Sequence, residues 1–356
     1  MNVRTLGRGT AALALGTSLT IAPVAIPAAQ AAHVVDARGL PGLLGGIGVG
    51  PVLGGAGQPG ASPATDAQSV GVVLIDTILD YGEGAAAGTG LAIGSTGLVV
   101  TNHHVIEDST KITVTTPDGT SYGAQVVGYD ATHDVAVLQL KGASGLPTVT
   151  TDTDGVTKGE AIDAIGNAEG QGSLTDAPGD VTDPSRNITV TDDDGSKARL
   201  TDLIESNADV VPGDSGGAWL DADGEVVGMT VAATDGGLQT YGYAIPISRV
   251  LNVATKIENG RASKTIVIGT RAAIGIELTS AKRLKVASVQ SQPARKAGLR
   301  RGDVITAADG TTVTTIAQLT RILRQHQPGD HIKLAWTTPA GAHRSARIRL
   351  ISGPVD

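Results

Sequence analysis

Gly213-Asp214-Ser215-Gly216-Gly217 lies downstream of Thr101-Asn102-His103-His104-Val105 and of Thr132-His133-Asp134-Val135-Ala136. In that order the three segments supply a base, a carboxylate to orient it and a nucleophile, one of the few ways a hydrolytic serine triad is built. A serine hydroxyl is a poor nucleophile at neutral pH unless an imidazole takes its proton. The imidazole needs a buried carboxylate to fix its tautomer and stabilise its charged form. His104, Asp134 and Ser215 are the candidate catalytic residues.

Glycines on both sides of Asp214-Ser215 let the backbone turn sharply and bring its N–H groups toward a substrate carbonyl. The loop Gly213, Asp214, Ser215 is the candidate oxyanion hole, with the N–H groups of Gly213 and Ser215 as donors. The Asp214 carboxylate is expected to bond the backbone of its own loop. His103 and His104 are adjacent, so their side chains point in different directions and only one can face Ser215. Asp134 precedes the buried-looking run Val135-Ala136-Val137-Leu138, whereas Asp130 falls in the preceding turn, which favours Asp134 as the orienting acid.

From about Gly71 to Leu251 short apolar runs alternate with turn signals, the pattern of a sandwich or barrel and not of alternating strands and helices. Three hairpins stand out. Gly90 to Ile93 faces Leu98 to Thr101, Ile112 to Val114 faces Tyr122 to Val127, and Ala218 to Leu220 faces Glu225 to Thr230. Aromatic residues are 2% of the 356 and Phe is absent, so the cores must be filled by Val, Ile, Leu and Ala. Two barrels with a cleft between them would unite the triad, whose members are spread over both halves of this region.

Arg4 and Arg8, an apolar run from Ala11 to about Ala28 and then Ala29-Gln30-Ala31 have the form of a signal peptide, with cleavage expected after Ala31. Residues 32–70, rich in Gly, Ala and Pro, read as a flexible linker. The catalytic unit is expected over 71–260. A helix is predicted from Ile247 to about Glu258, ended by Asn259-Gly260, with a domain boundary near Arg261. The remainder, 261–356, reads as strands around a short helix and the amphipathic stretch Thr315 to His326, the size of one small α+β domain.

The formal charge of −8 speaks against nucleic acid or an anionic membrane as the main partner, since both need clustered positive charge. Polypeptide is the better substrate class. There is no cysteine, no HExxH and no phosphate-binding GxxxxGK[ST], so no disulfide, metal or cofactor is implied. Asp-rich turns at 152–155, 192–195 and 221–224 lack the bidentate Glu of a calcium loop.

The strings Thr-Asn-His-His-Val, Thr-His-Asp-Val-Ala-Val-Leu, Ala-Ile-Gly-Asn at 164–167, Gly-Asp-Ser-Gly-Gly-Ala and Tyr-Ala-Ile-Pro at 243–246 resemble those of HtrA/Deg serine proteases. Ala297-Gly298-Leu299-Arg300-Arg301-Gly302-Asp303-Val304-Ile305 with Asp309-Gly310 resembles the PDZ domain of the same family. The resemblance implies a mainly β chain, a chymotrypsin-like double β-barrel followed by a small α+β PDZ domain. It also implies an exported, ATP-independent endopeptidase of the secreted or cell-envelope space that degrades unfolded or damaged proteins. Substrate backbone would pair with Thr230, Val231 and Ala232. Val210 would line an apolar specificity pocket with Asp209 turned outward; an inward Asp209 would instead attract Lys or Arg. In the PDZ-like unit Ile274, Gly275 and Ile276 would form the edge strand that receives a peptide C-terminus, opposite the helix bearing Leu319. A homotrimer is the family's assembly, although of the aromatic residues that hold it this chain has only Tyr81 near the start of the catalytic unit. The segment Glu169 to Val190 offers no clear anchor and is expected to order only with substrate. Two other readings are a catalytically silent PDZ adaptor or chaperone and an unregulated degradative protease.

Overall fold

The computed structural model describes residues 62–82, 84–191, 197–235, 240–280 and 283–355. They divide into two compact units, one running to Thr270 and including Pro354 and Val355, the other spanning Arg271–Gly353. The expected signal segment and most of the expected linker lie outside the described residues.

In the first unit two antiparallel sheets each close on themselves. One ring runs through Ser121–Asp130, Ser109–Thr115, Val72–Leu79, Gly84–Gly94, Leu98–Thr101 and Val135–Leu140 and returns to Ser121–Asp130. The other runs through Ala161–Gly166, Thr175–Thr191, Lys197–Ser206, Thr240–Pro246, Val226–Asp235 and Ala218–Leu220 and returns to Ala161–Gly166. Closure removes the sheet edges that would otherwise invite aggregation. The three expected hairpins are present, with registers Leu91↔Val100, Ile112↔Ala124 and Ala218↔Met229. Branched aliphatics fill the interior in place of Phe: Val72, Val100, Val137, Ile165, Met229 and Ile245 belong to one core that joins both barrels. The helix Ile247–Glu258 buries Val250, Val253, Ala254 and Ile257, and its C-cap is Asn259.

Two boundaries and one expected loop differ from the sequence reading. The catalytic unit continues past Arg261 to Thr270, because Ile266–Ile268 adds to Ser121–Asp130 with register Ile266↔Asp130. The expected linker ends before Ser62, since Ser62–Pro63 pairs with Thr175–Thr191 and the Gln68 amide donates to both Asp163 and Asp176. Glu169 to Val190 is not left waiting for substrate either. Most of it is the strand Thr175–Thr191, laddered on one side to Ala161–Gly166 and on the other to Lys197–Ser206. Pairing partners distant in sequence override a local composition of Gly, Asp and Pro.

The second unit is a sheet in the order Ile276–Ser280, Arg283–Val289, Val304–Ala308, His331–Thr337, His343–Arg349, with helices Gln292–Lys296 and Ile316–Leu323. Thr315 caps the longer helix through a reciprocal box with Gln318. Leu319 and Leu323 face the core with Ile305, Leu334 and Trp336, and Ile322 is only partly buried.

Candidate active site

Antiparallel pairing of Leu98–Thr101 with Val135–Leu140, register Thr101↔Ala136, brings Asn102 and the helix His103–Ile106 beside the turn that ends at Asp134. Asp134 Oδ2 lies 2.7 Å from His104 Nδ1, and its Oδ1 accepts the His104 backbone N–H at 3.0 Å. Both side chains are about nine-tenths buried, at 12% and 10% exposure. Asp134 adopts φ +54, a left-handed conformation uncommon outside glycine. Its carbonyl is held by the Asn102 amide at 3.1 Å. His103 points away from this pair. It is buried and stacks on Tyr129 with ring centroids 4.7 Å apart, and burial pushes its imidazole below the usual range.

Asp130 is not the orienting acid, but it builds the turn that presents that acid. One carboxylate oxygen accepts the N–H groups of Thr132 and His133, and the other meets His133 Nδ1 at 2.9 Å and the Thr265 hydroxyl at 2.9 Å.

Ser215 arrives from the other barrel, in the loop between Lys197–Ser206 and Ala218–Leu220. Its carbonyl accepts the Thr89 N–H at 2.8 Å. A Cβ built at Gly88 would meet both Val105, next to His104, and the Ser215 carbonyl, so the loop and the histidine helix press on the same strand. No hydrogen bond joins Ser215 Oγ to the His104 ring here; such contacts are often long without substrate and tighten in the complex.

Gly213 has φ +100 and Gly216 φ +85. Side chains there would collide with the Asn167 carbonyl and with Thr89 and Thr101 respectively. Among the described residues neither the Gly213 nor the Ser215 N–H has a hydrogen-bond acceptor, which leaves both for a substrate oxyanion. Gly213→Ala is expected to lower kcat by roughly 10²- to 10³-fold, because the new methyl collides with the Asn167 carbonyl and turns the Gly213 N–H out of the hole, at the cost typical of one lost donor. Steady-state kinetics at saturating substrate would show it, and an unchanged kcat would remove Gly213 from the hole. As expected, the Asp214 carboxylate bonds its own loop, its Oδ2 accepting the Val211 N–H at 2.9 Å. Its Oδ1 is buried without a partner.

The expected substrate residues divide. Val210 is buried in the second barrel's core with Trp219 and Ala244. Asp209 is half-buried. Thr230 is already occupied: its N–H donates to the Gly217 carbonyl and its carbonyl accepts the Gly216 N–H. It ties the strand to the nucleophile loop and does not face substrate. Val231 is the bulged residue between Thr230↔Ala244 and Ala232↔Tyr243. In the second unit the edge strand begins at Ile276; Ile274 and Gly275 precede it, and Ile274, Ile276 and Leu319 are buried in the core.

Residues 88–229 match the family model described as a trypsin-like peptidase domain, and residues 272–337 match a PDZ domain. Serine protease PepD of Mycobacterium tuberculosis is 30% identical over 95% of this chain and 77% of its own length. The chain belongs to the HtrA/DegP family of serine proteases. Serine protease Do-like HtrA of Lactococcus lactis is 32% identical over 74% of this chain and 69% of its own. A probable periplasmic DegP-like endoprotease of Chlamydia muridarum is 34% identical over 70% of this chain, which spans only 51% of that relative's length. The solved HtrA-type protease AlgW with tripeptide aligns over 80% of this chain and 95% of its own, at 26% identity and TM-score 0.47. For an HtrA/DegP-type chain the fold is the expected one, a double barrel with a C-terminal PDZ domain.

Reasoning from sequence missed the residues that assemble this site without taking part in the chemistry. Asn102 and Asn167 sat inside quoted motifs and could have been suspected as carbonyl and amide partners. Thr89, fully buried on Gly84–Gly94, carried no local signal.

Proposed function

We propose that this protein is an exported, ATP-independent endopeptidase that cleaves unfolded or damaged polypeptides by a Ser-His-Asp acyl-enzyme mechanism. The buried His104–Asp134 pair, facing a glycine-flanked serine loop with two unengaged N–H groups, carries the reading. His104, its Nδ1 held by Asp134, takes the Ser215 proton at Nε2 as Oγ attacks the scissile carbonyl. The carbonyl oxygen becomes an oxyanion stabilised by the N–H groups of Gly213 and Ser215. The protonated imidazole then gives its proton to the leaving amine, and water repeats the sequence on the acyl-enzyme. Val231 and Ala232 hold the substrate strand, and the apolar wall at Val210 favours small aliphatic side chains.

Export is supported by the basic and apolar leader with its Ala29-Gln30-Ala31 site, and by relatives named as periplasmic. Peptide binding at the PDZ domain is supported by the sheet order, in which, among the described residues, Ile276–Ser280 pairs only with Arg283–Val289 and leaves its other edge to a peptide strand. A fluorophosphonate probe is expected to label the wild type and not Ser215→Ala; absence of labelling in the wild type would leave the silent-adaptor reading standing. Calorimetric titration of the full chain with peptides ending in a free carboxylate, against the same peptides amidated, tests the PDZ role.

A further inference from the structure

Thr89 sits on the first barrel, yet its contacts are with the loop that carries the nucleophile on the second. Its hydroxyl donates to the Gly213 carbonyl at 2.8 Å and accepts the Asn167 N–H at 3.0 Å. Its backbone N–H donates to the Ser215 carbonyl, and its carbonyl accepts the Thr101 hydroxyl at 2.6 Å. Just beyond Asn167, in the turn Ala168–Gly170, the Glu169 N–H donates to the Pro212 carbonyl at 2.6 Å.

Peptide units are planar and trans, so the N–H of a unit points opposite to its C=O. The Pro212–Gly213 unit is pinned by Glu169 at its oxygen, which turns the Gly213 N–H the other way. The Gly213–Asp214 unit is pinned at its oxygen by the Thr89 hydroxyl. In the Asp214–Ser215 unit the carbonyl accepts the Gly217 N–H at 2.8 Å, which aims the Ser215 N–H outward. A glycine at φ +100 has nothing of its own to hold that conformation. The fixing comes from outside the loop, on both faces of Gly213, and the Thr89 hydroxyl joins the two faces by bonding Gly213 and Asn167 together.

We infer that Thr89 is a positioning residue for the oxyanion hole, clamping the peptide units on either side of Gly213 through its hydroxyl. It touches neither substrate nor the reacting atoms. The inference rests on the proposed roles of Gly213 and Ser215.

The test compares Thr89→Val, which keeps the shape and removes the hydroxyl, with Thr89→Ser, which restores it. Thr77→Val is the control: Thr77 is also buried, in a neighbouring strand of the same barrel, and among the described residues its hydroxyl bonds only the Ala86 carbonyl. In the full chain, well below each unfolding transition, Thr89→Val is expected to lose on the order of tenfold or more in kcat with KM little changed. Its affinity for a peptidyl boronic acid, whose adduct with Ser215 places an oxygen in the hole, falls in step with kcat. Thr89→Ser recovers most of both, and Thr77→Val loses thermal stability alone. If Thr89→Val lowers only the melting temperature, or if Thr77→Val loses as much kcat, the clamp is wrong. Should the wild type show no turnover that Ser215→Ala abolishes, the proposed function has failed, a result distinct from failure of the clamp.

Discussion

Ser215→Ala is expected to lower kcat by on the order of 10⁶-fold with the unfolding transition essentially unmoved. Ser215 is half-buried and, among the described residues, its hydroxyl makes no hydrogen bond, so its loss removes chemistry and not packing. His104→Ala should cost about as much, and the double variant little more, because nucleophile and base act as one unit. Asp134→Asn is the sharper probe of geometry. Both Asp134 oxygens accept from His104, one from its backbone and one from its ring. An asparagine must offer its NH₂ to one of those donors, which either breaks the backbone bond or turns the imidazole to the wrong tautomer. A loss of about 10⁴-fold in kcat follows, with substrate still bound. Single-turnover hydrolysis of an unfolded substrate measures all four variants; residual wild-type turnover in Ser215→Ala would overturn the assignment.

Asp214→Asn is expected to abolish a fall of stability with rising pH. Burial, opposed by the Val211 N–H and reinforced by the charge of Asp209, pushes the Asp214 carboxyl up to about 7 from an unfolded value of 3.8. Between those values the folded protein holds a proton that the unfolded chain has released, so stability falls as pH rises. The full cost, about 4 kcal/mol, is reached above pH 7 and absent below pH 4. Asparagine removes this slope but sets an amide where Oδ1 has no partner, a penalty of roughly 1–3 kcal/mol at every pH. The variant should be less stable than wild type at pH 4 and more stable at pH 8. Urea titrations across that range measure the crossing, and parallel curves would show that Asp214 does not carry its proton into the neutral range.

Much of this was legible without coordinates. The motifs around His104, Asp134 and Ser215, the hairpins of the first barrel and the amphipathic stretch from Thr315 are each written within a few adjacent residues, where spacing and turn chemistry suffice. What was misread depended on partners remote in the chain. The family resemblance places Thr230 on the substrate strand, yet its N–H and carbonyl are both taken by the glycines after Ser215. The Gly-, Asp- and Pro-containing stretch after Glu169 reads as a loop until strands on both sides give it a ladder.

Composition and local spacing thus pointed to the atoms proposed to do the chemistry and to aliphatic β-barrels that would carry them, since nucleophile, base and acid are identities and identities are read one residue at a time. Only the tertiary structure decided how those atoms are held. The left-handed turn at Asp134, the occupied backbone of Thr230 and the hold of Thr89 on Gly213 all depend on hydrogen bonds between segments tens of residues apart, and a linear pattern does not encode which distant amide a carbonyl will meet.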